Sequence, residues 1–484
     1  MRYKTDRELK VEEYLAPRGF AMKFFEGTVL PHRALRIGRL DRGYTFLLHE
    51  KEWLRNIAIF GPPGSGKSKT FLINMLRDLG CHGSAIILDP TGELFETTAN
   101  AFEDVYRLDF KNPALSDRWN VLEKCKDNPE HATEMARIIV RNCVTQRVEE
   151  GEELLLKAIL LHLAGIVPEV TPSMISDYLE LDQTRVRDLK DIERDLVNSG
   201  NANVRRSWEA FTEAAGVRAE RVAWSLMLRM RVFGREYARY ICKRVTDEER
   251  EIRGLRGERG AREIDFARLR TARTAIYLVM GEGDEMLYRD VLNTFIGHAV
   301  HELKNVTEFE NPGPVGLVLD DCGNIPIAGL NEVLAATRGR KIGLIITCQG
   351  LPQIQDLYGS DETGAILRSI GTMMFLPGLD PVTCEFASQR SAAVWEVARR
   401  SPREIAEMIR HDEFLVAIDL VLPFEACYLP GCYSIAKRGV LVEVREMLIG
   451  ILRAVRKRRR RRFERHRLDP RPGWARLRRG AASE

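Results

Sequence analysis

The tightest constraint on the fold is an eight-residue stretch, Gly61 to Ser68, which reads GPPGSGKS. It follows the short apolar run NIAIF (Asn56–Phe60) and precedes a helical pattern from Lys67 to Leu79. A strand, a glycine-rich turn and a helix in that order turn backbone N–H groups inward around a polyphosphate. Gly61, Gly64 and Gly66 keep any Cβ out of the anion's way. Lys67 is then expected to reach the β- and γ-phosphates and Ser68 to ligate Mg²⁺, with Ser65 and Lys69 completing the nucleotide-binding stretch. The helix that follows turns its positive end toward the same charge.

Such a loop needs a second strand ending in a carboxylate for the metal. Val315–Leu319 (VGLVL) followed by Asp320-Asp321 supplies it. Asp320 is expected to hold the metal's water shell, and Asp321 to polarise the attacking water as general base.

With 484 residues, two or three domains are expected. Hydrophobic content of 44% and charged content of 30% exclude wholesale disorder and collagen-like chains. Further apolar runs at Ala85–Leu88, Val105–Asp109, Ala275–Met280, Leu344–Cys348, Thr372–Leu376 and Phe414–Ile418 alternate with helical patterns, which predicts an α/β fold with a parallel sheet covered on both faces. Between them, residues ~123–272 carry apolar positions at helical spacing, as in Glu130–Val144, Glu152–Ala164 and Arg221–Val232. Lys243 to Arg273 reads as an exposed helix and connector. The expected organisation is residues 1–122 as N-terminal strands and the first part of a nucleotide-binding domain, 123–272 as an inserted all-α domain, 273–450 as the second part, and 451–484 as a disordered basic tail.

The net charge of +4 conceals an asymmetry. Residues 451–484 hold 14 basic and 3 acidic residues, the rest 60 and 67. Arg456 to Arg462 is seven cations in a row, a segment suited to nucleic acid or an anionic membrane surface. No run of eighteen uncharged apolar residues exists, and Leu154 to Val167 reads as a core helix. Nine scattered cysteines read as reduced thiols of a cytoplasmic protein, Cys427 and Cys432 included. The nine histidines show no metal-ligand spacing.

Several ordered segments resemble the TraG/TraD-like coupling proteins of type IV secretion. They are LDPTGELFETTA (Leu88–Ala99), DRWNVL (Asp117–Leu122), the block from Leu319 to Gly343, IITCQGLPQIQDLYG (Ile345–Gly359) and FLPGLDPVTCEFAS (Phe375–Ser388). The resemblance spans roughly residues 35–440. It implies a RecA-like P-loop NTPase sheet with an inserted all-α domain, a hexameric ring, ATP and Mg²⁺ as ligands, and DNA in the channel. It further implies Gln349 as the γ-phosphate sensor and Arg340, with Arg338 as runner-up, as the arginine finger on a neighbour's ATP. Asp321 and Thr91 stand where the family usually has Glu and Lys, and the family's N-terminal transmembrane helices have no counterpart.

The expected function is an ATP-driven motor that recruits and pumps DNA, or a relaxase–DNA complex, to a conjugation channel through a separate membrane component, with peripheral recruitment to the inner face of the membrane. Two alternatives stand beside it: a HerA/FtsK-like translocase in DNA processing or defence, and a nucleotide-gated adaptor with little hydrolysis.

Overall fold

Short β-branched and aliphatic runs assemble into one twelve-stranded sheet. The strands are β1 (Gly19–Lys23), β2 (Leu35–Leu40), β3 (Tyr44–Leu48), β4 (Ile57–Phe60), β5 (Ser84–Asp89), β6 (Asp104–Asp109), β9 (Thr274–Val279), β10 (Val315–Leu319), β11 (Ile342–Cys348), β12 (Thr372–Phe375), β13 (Glu413–Ile418) and β14 (Phe424–Cys427); β7 (Glu180–Asp182) and β8 (Arg185–Val186) form a separate small pair. The computed structural model describes residues 19–23, 33–40, 44–126, 128–143, 147–182, 185–247, 249, 261–281, 283–304, 312–337, 339–392, 401–403, 413–418 and 424–427. Arg338, Cys432 and the arginine-rich tail lie outside them.

The strand order is β6-β9-β5-β10-β11-β4-β12-β13-β14-β2-β3-β1. From β6 to β12 every neighbour is parallel; from β12 to β1 every neighbour is antiparallel. The sheet is therefore mixed, where the sequence suggested a parallel one. Only three residues link β2 to β3, far too few for the crossover that a parallel pair requires.

The parallel strands β4, β5, β9, β10, β11 and β12 are buried along their whole length. Alternation divides β4 between two cores. Ile57 and Ile59 pack with Phe71, Leu72 and Ile73 on one face, whereas Ala58 and Phe60 join the second core. Helices on both faces thus fix the height of the loop that leaves β4.

Between β6 and β9 the chain is mainly helical, through Pro129–Asn142, Glu152–Ile166, Pro172–Leu179, Leu189–Val197, Ala202–Ala215 and Ala219–Met230. The Glu152–Ile166 helix buries Leu155, Leu156, Ile159 and Leu160, as a core helix should. Its first residue, Glu152, is fully buried against Arg229 at 2.9 Å, and Ser225 donates to the same carboxylate. A pair so enclosed contributes little net stability intact, but breaking it costs ~3–5 kcal/mol. The 243–273 segment is not wholly exposed: Phe266, Leu269 and Arg270 are buried, and Glu263 bridges to Arg118. No helix among the described residues is long and apolar enough to cross a membrane.

Candidate nucleotide-binding site

Parallel strands end at one common edge, where side chains from distant chain positions meet. β11 lies between β4 and β10, so Gly61, Gln349 and Asp320 all follow adjacent strand ends. Gly64 and Gly66 hold φ of 77° and 88°, a left-handed conformation that turns the loop back toward the helix. That helix opens with a π-turn over Lys67–Leu72 before continuing as Ile73–Gly80. Lys67, 8% exposed, donates to the carbonyl oxygens of Gly61 at 2.7 Å and Pro62 at 3.2 Å.

Ser68, at the far side of the loop, donates its hydroxyl to Asp320 Oδ2 at 2.8 Å across 252 positions of chain. Thr347 donates to the other oxygen, Oδ1, at 2.7 Å, and its hydroxyl also accepts from the Asp321 N–H at 2.8 Å. Burial pushes the Asp320 carboxyl above its ordinary range, against these two hydroxyls and the Lys67 charge, which favour the ionised form. Asp89, at the end of β5, is pushed up to about 6, chiefly by burial and against bonds from the backbone of Phe95, Leu94 and Gly92. A cation delivered to this edge would reverse the cost of ionising either group.

Asp321 takes a φ of 52°, a conformation available at low cost mainly to Gly, Asn and Asp. Its Oδ2 accepts from Asn324 at 3.3 Å, while Oδ1 is buried with no hydrogen-bond partner. Gln353 continues the chain of contacts: it donates to Asn324 at 2.9 Å and accepts from the Gln349 N–H at 2.9 Å. Gly323 makes that approach possible, since a Cβ there would lie 2.1 Å from the Gln353 side chain.

Lys67, Ser68, Asp320, Asp321 and Gln349 are thus gathered at one edge. Arg340 is not among them. It precedes β11, at the strand's opposite end, about 20 Å away for a seven-residue strand. Its carbonyl accepts from Arg270 at 2.9 Å. Thr347, Asn324, Gln353 and Asp89 belong to the site but were not singled out from the sequence. Each lies within a segment quoted for the family resemblance and at or near a strand end, but the sequence assigned it no role.

Fold and site together define a P-loop nucleotide-binding protein of the α/β class. Residues 29–165 match the family described as type IV secretory system conjugative DNA transfer, and residues 314–406 match the TraM recognition site of TraD and TraG. Over both segments the chain matches the TraG/TraD-like coupling proteins. Among solved structures it resembles the bacterial conjugative coupling protein TrwBΔN70 in its unbound monoclinic form, with 14% identity and a TM-score of 0.56, covering 80% of this chain and 87% of that one. It also resembles the plasmid coupling protein TrwB in complex with ADP and Mg²⁺, at 14% identity and a TM-score of 0.58, covering 87% and 96%. At this identity the likeness is one of fold, the RecA-like P-loop sheet. No curated protein sequence matches the chain.

Proposed function

We propose that this chain is an ATP-hydrolysing motor that moves DNA, or a DNA–protein complex, toward a type IV secretion channel. The observation that carries the reading is the Ser68–Asp320 hydrogen bond, which joins the glycine loop to the strand-end aspartates. A P-loop hydroxyl and a strand-end Asp are the pair that holds the metal in such sites.

The residues fit Mg²⁺ and ATP. Asp320 is supported by two hydroxyls, and Asp321 keeps one buried oxygen unpartnered. Mg²⁺, when bound, would supply positive charge to offset that of the phosphates. Backbone N–H groups between Gly64 and Lys69 would cradle the phosphates, and Lys67 would exchange its carbonyl partners for phosphate oxygen. Ser68 and Asp320 hold the metal. Asp321 Oδ1 accepts the attacking water's proton, while Asn324 steadies Oδ2. Gln349, whose N–H is fixed by Gln353, passes the loss of γ-phosphate onward. Arg340, remote from its own loop, acts on a neighbouring subunit's nucleotide, which calls for a ring; Arg338 is the second candidate for that role. The helical segment 123–272 is read as a domain inserted in the nucleotide domain, and the tail from 451 as a DNA-capturing arm. The family matches support DNA and relaxosome partners. A separate membrane component recruits the chain to the channel.

The test is ATP hydrolysis by the purified chain with and without DNA. DNA should stimulate turnover, and Lys67→Ala should abolish it. Turnover indifferent to DNA, or intact in Lys67→Ala, would remove the motor.

A further inference from the structure

The histidines lack ligand spacing along the chain, yet the fold gathers two of them beside a carboxylate. His298 and Glu302 stand one turn apart on the helix Glu285–Leu303, and His131 comes from the helix Pro129–Asn142. A nitrogen of each histidine and an oxygen of Glu302 lie within 4.8 Å of one another. His298 is 6% exposed, and its Nε2, like that of His131, is buried with no hydrogen-bond partner among the described residues. Orphaned buried nitrogens are uncommon in folded proteins and ask for an explanation. The 3.6 Å from His298 Nε2 to Glu302 Oε1 is too long for a hydrogen bond. Both histidines also line a cavity of about 300 Å³ with Trp119, Glu123 and Lys124.

We propose that His131, His298 and Glu302 form a site for a divalent transition metal of the zinc class, with its fourth position open to this cavity. Two imidazoles and one carboxylate are a known three-ligand set for zinc. Lys124 bonds Glu302 Oε2 at 2.7 Å, which leaves Oε1 for the ion. Tetrahedral zinc with bonds of ~2.0–2.1 Å sets its ligands about 3.3 Å apart, so the His298–Glu302 spacing of 3.6 Å is nearly correct already and His131 has at most about 1.5 Å to close. The ion would tie the two helices together.

Trp119 imposes a condition on this site. Its indole N–H donates to His298 Nδ1 at 3.0 Å, so the neutral ring carries its proton on Nε2, the atom that must face the metal. Binding therefore requires that proton to move to Nδ1, with loss of the indole contact. That cost weakens the wild-type site, and Trp119→Phe should relieve it.

The experiment is titration of the full-length chain, first stripped by a chelator, with Zn²⁺ against a chromogenic competitor, and with Co²⁺ followed by visible absorption. One ion per chain is expected, with a Co²⁺ spectrum of low coordination number. His131→Ala and Glu302→Gln should each lose at least ~10-fold in affinity. Trp119→Phe should bind more tightly than wild type, an outcome that a misfolded variant would not give. Zn²⁺ should raise the Tm of wild type and leave that of His131→Ala unmoved. Equal affinity in wild type and His131→Ala, a Co²⁺ spectrum like that of the aqueous ion, or weaker binding by Trp119→Phe would overturn the proposal.

Discussion

The two edges of the parallel strands are built from opposite chemistry. At the C-terminal edge, Asp89, Asp320 and Asp321 stand at strand ends on the side of the buried Lys67, and hydroxyls of Ser68 and Thr347 support the Asp320 carboxylate. At the N-terminal edge, Arg270 is 5% exposed and donates to the carbonyls of Leu303, Gly313, Arg340 and Lys341. Burial lowers its pKa to about 10, so it stays charged at neutral pH. The first edge is arranged to receive a cation and phosphate together. The second anchors the backbone that carries Arg340, on the far side of the sheet from its own glycine loop. The finger role proposed for Arg340 therefore calls for a nucleotide on another subunit.

The largest effect that would break this contrast is expected at Arg340, where loss of a finger in Arg340→Ala is worth ~10³–10⁵-fold in kcat. Mixing that variant with Lys67→Ala should restore part of the activity, because some neighbouring pairs then join an intact loop to an intact finger. An inactive mixture would place Arg340 outside the reaction. Next comes Asp321→Asn, which should lower kcat by ~10²–10⁴-fold with ATP affinity nearly unchanged, as read by steady-state turnover beside nucleotide titration.

A smaller change sharpens the second edge. Arg270→Lys keeps the charge but not the fork that spans four carbonyls, so a stability loss of ~1–3 kcal/mol is expected in denaturant unfolding, with ATP affinity intact. The smallest effect concerns Asp89. Its folded pKa is raised from 3.8 to about 6, so the folded state holds the extra proton and this residue's contribution to stability falls as pH rises through that window. Asp89→Asn should flatten the dependence of Tm on pH between about 4 and about 6, although its Nδ2 cannot accept one of the two N–H bonds from Gly92 and Phe95.

What could be read in advance follows the range of the interactions. GPPGSGKS and the run VGLVL before Asp320-Asp321 are local: backbone freedom, a cation and strand-end carboxylates sit within a few residues of each other. Strand positions such as Val105–Asp109 and Thr372–Leu376 were legible for the same reason, since buried strands read as apolar runs. Pairing was not. Nothing in Phe414–Ile418 says that it runs antiparallel to β12, or that β14 then joins β2. Thr347 reaches both aspartates only because β11 lies beside β10, and Gln353 reaches Asn324 only because Gly323 leaves room. His131 and His298 meet through helix packing, which leaves no trace in spacing.

The central claim is that the glycine loop and the aspartate pair hold one metal–nucleotide complex. Its most direct test is binding of a fluorescent ATP analogue with and without Mg²⁺, in wild type, Ser68→Ala and Asp320→Asn. Mg²⁺ should tighten binding to wild type, and the two variants should keep the metal-free affinity while losing most of that gain. A full Mg²⁺ response in Asp320→Asn would contradict the account.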